Sequence, residues 1–418
     1  MLNQSLSQTH RQVTGLSGNE IYCLHKLKFK PGQLCIGNSV VAIGLSKGIG
    51  AGFSNLFGGE VKEITQLVHE GRVKAVERLF SEASEASGVG LSGVSFDLIN
   101  HGGNLEFLAI GSAIKSYDVD DEVKEKLNFS TAANVQQLYC QMDSGFKPIH
   151  FVFGNIAYSI GIGGNLMGTF KSLARGEVKE FTEIFDKTRH QALMRLKAEA
   201  KKIGANSIIG IETTLAPLMG AQEMLMVGTA SHHPMLDDFL NNPVTSDMTN
   251  EELWNMVNIG YLPIQLVMGV SVYSLGFAGG VQSFFQSILG GEVDGLTEIL
   301  YEAREKALAR IQQDAINCGA DEVVGVKTHI YNLGGGLVEF MAIGTAVKKV
   351  KNVTTLNPDL PPQAIITDKE TFIDTMGNKF DLDAGSSNFA RNMQQGPVVM
   401  LIIFLVMLFY VFAFFFKT

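Results

Sequence analysis

The sequence predicts an α+β protein: three tandem β-α-β-β domains with small antiparallel sheets, plus one C-terminal transmembrane helix. Three observations carry this. The tripeptide Gly-Glu-Val recurs with its glutamate at Glu60, Glu177 and Glu292, spacings of 117 and 115 residues. Each recurrence is followed by a long run with apolar residues three and four apart, then by two strand-like segments. Finally, an uncharged apolar run opens at Val398 and closes at Phe416. A period near 116 residues is the size of a small domain, far above that of a solenoid unit.

Each copy opens with a short capped helix. Ser17-x-x-Glu20, Asn134-x-x-Gln137 and Thr249-x-x-Glu252 fit a capping box, in which the N-cap side chain and the third helical residue satisfy each other's free amides. An aromatic follows two residues on (Tyr22, Tyr139, Trp254), then a proline (Pro31, Pro148, Pro263). The first strand reads QLCIGNSVVAIG, HFVFGNIAYSIG or QLVMGVSVYSLG. A glycine-rich stretch with Phe53, Phe170 or Phe285 precedes the Gly-Glu-Val turn.

The turn invites comparison with a phosphate loop, but no G-x-x-x-x-G-K-[ST] is present. Glu60, Glu177 and Glu292 are expected in the first helical turn, where a carboxylate suits the helix dipole and repels an anion. The long helix follows. In the third copy Val293, Leu296, Leu300, Ala303, Ala307, Ile311 and Ala315 form one stripe. Gly204 and Gly319 read as C-caps, and Ser87 takes that place in the first copy. Two strands then finish the copy, ending in Gly111-Ser112-Ala113, Gly228-Thr229-Ala230 and Gly344-Thr345-Ala346.

These signals divide the chain into a tail (1–16), a first repeat (17–116), a linker (117–133), a second repeat (134–231), a linker (232–248), a third repeat (249–350), a polar linker (351–396) and a membrane anchor (397–418). The 19 residues from Val398 to Phe416 would span about 28 Å as a helix, close to the ~30 Å of a bilayer core. The N-terminus shows no apolar signal segment, so the repeats are expected on the cytoplasmic side of a single-pass membrane protein.

Composition narrows the function. A net charge of −9 with no basic tract argues against nucleic acid as a partner. Cys23, Cys35, Cys140 and Cys318 show no C-x-x-C spacing and read as free thiols. A metal site intrinsic to the repeat would place ligands at equivalent positions. His69, His190 and His329 fall at three different ones, and the match of Cys23 with Cys140 ends at Asn255 in the third copy. The adjacent His232 and His233 point apart on a regular backbone, and Met219, Met224 and Met226 suit a core. No Ser/His/Asp or H-E-x-x-H arrangement occurs. We therefore expect no metal, no cofactor and no enzymatic activity.

What does recur is charge in apolar places. Arg72, Arg189 and Arg304 each follow the turn glutamate by 12 residues and lie on the helix stripe; Arg72 shares it with Ala75, Leu79 and Ala83. Glu106, Glu223 and Glu339 each sit five residues before the final-strand glycine, between apolar neighbours. A half-buried arginine requires a carboxylate, so these six residues are expected to form structural charge pairs, with Arg304 and Glu339 paired in the third copy. Arg78, Arg195 and Arg310 recur off the stripe, where a solvated or inter-subunit role is expected.

The third copy, from the Gly-rich run through YEAREKALARIQQDA, GADEVVGV and GTAV, resembles the YbjQ family of heavy-metal-binding domains. The second resembles it through ARGEVKEFTEIFDKTRHQALMRLKAEAKKIGANSIIGIE and MLMVGTA, the first more weakly. The resemblance implies a dodecin-like subunit fold and ring-shaped oligomers in which neighbouring strands close a barrel. This chain departs from the family's usual single short domain by tripling it and adding an anchor.

Together these readings predict a homo-oligomer forming rings or a stacked shell, bound to the lipid bilayer through residues 398–416. The alternative is a membrane-tethered metal- or small-ligand-binding module. On the final strand Met341, Ile343 and Val347 alternate with Phe340, Ala342 and Ala346, so both sheet faces need cover. The copies could bury these faces on one another or pair with like copies of other chains. The long linkers favour separate tiers, each copy forming its own ring.

Overall fold

The computed structural model describes residues 13–42, 59–101, 103–117, 127–159, 176–218, 221–274, 294–334 and 337–361. The run 398–416, Glu292 and the stretches holding Phe53, Phe170 and Phe285 lie outside the described residues. Among the described residues no helix is long and apolar enough to cross a membrane.

The first copy comprises α1 (Gly18–Lys26), β1 (Phe29–Ala42), β2 (Gly59–Glu60), α2 (Lys62–Glu85), β3 (Gly90–Asn100) and β4 (Asn104–Ser116). The second comprises β5 (Phe129–Ser130), α3 (Val135–Asp143), β6 (Lys147–Ser159), β7 (Gly176–Glu177), α4 (Lys179–Lys202), β8 (Ser207–Leu218) and β9 (Ala221–His232). The third follows a 3-10 turn at Pro234–Phe239, with β10 (Val244–Thr245), α5 (Asn250–Asn258), β11 (Tyr261–Ser274), α6 (Asp294–Asn317), β12 (Glu322–Gly334) and β13 (Leu337–Lys349).

All three capping boxes form, with Ser17, Asn134 and Thr249 as N-caps. Each proline sits where the first strand shifts register against the last, at Pro31, Pro148 and Pro263. A bulge suits a residue that cannot donate to the ladder. Ser87 adopts the left-handed backbone of its glycine counterparts, with φ of 58° against 74° at Gly204 and 71° at Gly319.

The expected helix starts are displaced. Glu60 and Glu177 lie in the two-residue strands β2 and β7, and α2 and α4 begin two residues later behind the N-caps Val61 and Val178. Glu63 and Glu180 occupy the first turns instead.

The sheets run β1-β4-β3-β5, β10-β8-β9-β6-β2 and β12-β13-β11-β7. Thus β2 of the first copy is an edge strand of the second copy's sheet, and β7 of the second is an edge strand of the third's. The copies are therefore direct neighbours, which corrects the expectation of separate tiers. The long helices α2 and α4 each lie between their own sheet and the next, whereas α6, among the described residues, packs only on its own. Ile64, Val68 and Leu79 of α2 share a core with Phe151, Phe153 and Ala157 of β6. Phe185, Leu193 and Leu196 of α4 share one with Met268, Val272, Met341 and Ile343 of the third copy. This sandwiching covers both faces of β13, which is buried from Leu337 through Val347.

The capped helices form a second line of contacts. Glu20 accepts from the Val135 N–H (3.3 Å), and Asp143 accepts from the Trp254 indole N–H (2.8 Å). After β13 the chain returns to the second copy, where the Leu356 N–H donates to the Asp143 carbonyl at 2.9 Å.

Candidate assembly interface

The junction between successive copies occurs twice in this chain and is built the same way each time. The stripe on α2 carries Arg72 into the interior, 3% exposed. Its guanidinium donates to both oxygens of Glu223 on β9, the Nη2–Oε2 distance being 2.8 Å. Asn155 of β6 donates to the same carboxylate at 3.3 Å, and the rings of Phe96 and Phe107 lie 5.6 and 5.8 Å from the guanidinium carbon. One copy later, Arg189 of α4 donates from Nε and Nη2 to Glu339 of β13 at 2.7 to 3.1 Å; neither residue has measurable exposure. Tyr158 stacks 4.5 Å from that guanidinium. In an interior of low dielectric such ions persist only as a well-made pair, and a planar fork on a carboxylate supplies the geometry.

The partners thus come from different copies. The expected pair of Arg304 with Glu339 is corrected: Glu339 is held by Arg189. The structure does not bring Arg304 and Glu106 together. Glu106 accepts from Asn38 (3.1 Å) and lies 2.7 Å from His101 Nε2, and these two bonds hold its pKa below the ordinary carboxylate value.

A second set of ions runs the opposite way. Arg195 of the second copy reaches back to Glu60 of the first at 2.6 Å, and Arg310 of the third reaches Glu177 of the second at 2.7 Å, joined there by Lys306 at 3.1 Å. Burial works to raise the Glu177 carboxyl, but the bonds from Arg310 and Lys306 outweigh it and lower the pKa. Two of the three arginines read as off-stripe, Arg195 and Arg310, therefore clamp the turn glutamates Glu60 and Glu177, which gives these carboxylates ahead of the helix start a role, while Arg78 donates to the Asn38 carbonyl.

Threonines, which sequence reasoning passed over, complete the junction. The Val61 N–H donates to the Ala157 carbonyl (2.8 Å), and the Ala157 N–H donates to Thr65 Oγ1 (2.9 Å). Val178, Thr182 and Val272 repeat this at 2.8 and 2.9 Å. Their recurrence five residues after the turn glutamate, at Thr65, Thr182 and Thr297, was the available signal. The glycine of the first strand is a further one. A Cβ at Gly37, Gly154 or Gly269 would lie 2.0 to 2.4 Å from the carbonyl oxygen of Ala75, Ala192 or Ala307. Only glycine lets the helix approach that closely.

Among the described residues no three of His, Cys, Asp and Glu gather where they could hold a metal. His232 lies 2.9 Å from Asp237, whereas His233 packs on Phe146 and caps Met235. Met224 and Met226 are core residues, and Met219 lies outside the described residues. Burial pushes the Cys23 and Cys35 thiols up to about 11, so both stay protonated at neutral pH. A cavity of about 380 Å³ lies between the second and third copies, lined in part by Asp247, Asn250, Lys327 and His329.

Comparison with known proteins places these observations. The model of the YbjQ_1 family, described as "Putative heavy-metal-binding", matches three stretches: 29–117, 145–233 and 258–350. An encapsulin nanocompartment protein of Mycobacterium tuberculosis is 27% identical over 260 residues, 59% of this chain and 97% of that protein. UPF0145 proteins align with single copies. That of Thermosipho melanesiensis is 40% identical over 80 residues, 19% of this chain and 74% of its own length. That of Vibrio campbellii is 41% identical over 83 residues, 20% of this chain and 80% of its own.

Proposed function

Because the chain belongs to the YbjQ_1 family, and does so in three tandem copies, we propose that it is a non-enzymatic building block that self-assembles into a ring or shell at a membrane. The observation that carries this is the junction itself. Two buried arginine–glutamate pairs, a strand passed from each copy to the next and a shared core give the copies an interface of the kind that joins subunits. The relative named as an encapsulin nanocompartment protein, covered over nearly its whole length, supports the shell reading. The uncharged run 398–416 supports a C-terminal tether, with the repeats on the cytoplasmic side.

Two measurements test this. Light scattering of the detergent-solubilised chain is expected to give a multiple of the single-chain mass; a single chain at micromolar concentration refutes self-assembly. Truncation after Gln395 is expected to move the protein from the membrane to the soluble fraction. Sedimentation of the truncated form with membranes at high salt refutes the tether.

A further inference from the structure

The junction between copies has two halves, and each half occurs once more without its complement. The sheet faces of the second and third copies are covered by the helix of the copy before. Phe153 and Ala157 on β6, and Met268 and Val272 on β11, are at most 8% exposed. The equivalent residues of β1, Ile36 and Val40, are 47% and 56% exposed. Asn38 holds Glu106 as Asn155 holds Glu223, but among the described residues the remaining carboxylate oxygen meets only the surface residue His101. Among the described residues no strand lies on the outer edge of β1. An open edge beside an apolar face is a surface that proteins normally cover.

The other half is on α6. Thr297, Tyr301 and Arg304 stand where α2 carries Thr65, His69 and Arg72. Thr65 and Arg72 are buried against the second copy, and His69 packs on Phe153 with ring centroids 5.1 Å apart. Thr297, Tyr301 and Arg304 are exposed, and Arg304 has no hydrogen-bond or ion-pair partner among the described residues.

We propose that chains join head to tail by repeating this junction, the helix α6 of one chain docking on the β1–β4 sheet face of the next. Arg304 pairs with Glu106 in place of His101, Thr297 Oγ1 accepts the Val40 N–H, and Tyr301 packs on Ile36. The partner is a second copy because the face repeats, in residue type and charge, one that this chain already covers twice with its own helices. A head-to-tail contact of this kind closes into a ring or extends as a filament. The inference rests on the self-assembly reading and names the surface that would accomplish it.

The test uses the full chain in detergent, with mass read by light scattering. Arg304→Glu and Glu106→Arg are each expected to reduce the assembly to single chains. Because Arg304 is exposed and Glu106 is only half-buried, with its side chain 18% exposed, circular dichroism is expected to stay unchanged. Mixing the two variants in equal amounts is expected to join chains again, since every junction between unlike variants then joins opposite charges. Lys351→Glu, an exposed charge elsewhere, is expected to leave the mass unaltered. Assemblies that survive both single reversals, or variants that stay apart on mixing, overturn this interface and leave self-assembly standing. A single-chain mass for the unaltered protein overturns both.

Discussion

Replacing Arg189 with methionine removes the cation from a site with no measurable exposure and leaves the Glu339 carboxylate, equally buried, without its fork of donors. Breaking one side of a buried pair costs about 3–5 kcal/mol, because the remaining charge is desolvated and uncompensated. The contact with Tyr158 at 4.5 Å is lost as well, and contacts of this kind add on the order of 1–2 kcal/mol when desolvated. A loss of about 4 kcal/mol is expected for Arg189→Met, in the range where a marginally stable unit unfolds. The double variant Arg189→Met with Glu339→Leu removes both ions and fills the space with apolar groups, and is expected to recover most of that loss. Urea unfolding of the full chain in detergent, followed by circular dichroism, compares both variants with the unaltered protein. The second and third copies share one core, so their transition is expected to shift as a unit. A cost below about 1 kcal/mol for the single variant, or a double variant worse than it, would refute the argument that the pair is a desolvated structural tie.

Two further outcomes follow from the same geometry. Gly154→Ala places a Cβ 2.4 Å from the Ala192 carbonyl oxygen and 2.6 Å from the Leu196 nitrogen; both are backbone atoms that cannot swing aside. A loss of about 3 kcal/mol is expected from overpacking, and unchanged urea unfolding would contradict it. His150 and His233 have pKa values lowered chiefly by burial. The unfolded chain protonates them near 6.5, before the folded one does. Their contribution to stability is therefore complete above that pH and is lost as pH falls through their depressed folded values. His150→Gln is expected to flatten the decline of the thermal midpoint between pH 7 and 5; an identical slope would exclude His150 as a source.

Much of each copy was legible because it is local. Capping boxes need four consecutive residues, and all three form. The helix stripe and the two-sided apolar strands follow from periods of 3.6 and 2. Even Ser87, in the place of a cap glycine, adopts the backbone its position demands. The charged positions were legible too: an arginine on an apolar stripe and a glutamate between apolar strand residues mark themselves as a buried pair.

Which arginine meets which glutamate was not legible. The three copies repeat the same pattern, so pairing within a copy and pairing with the next satisfy the sequence equally well. The turn glutamates show the same limit. Their place ahead of a helix suggests a dipole contact, whereas their partners, Arg195 and Arg310, lie 135 and 133 residues further on. The strand glycines likewise acquire meaning only when a helix backbone comes within reach of them. Residue type and spacing determine what a segment can bury and which charges need a partner. The partner itself is chosen by packing, because α2 and α4 each cover two sheet faces at once, and only one of them belongs to their own copy.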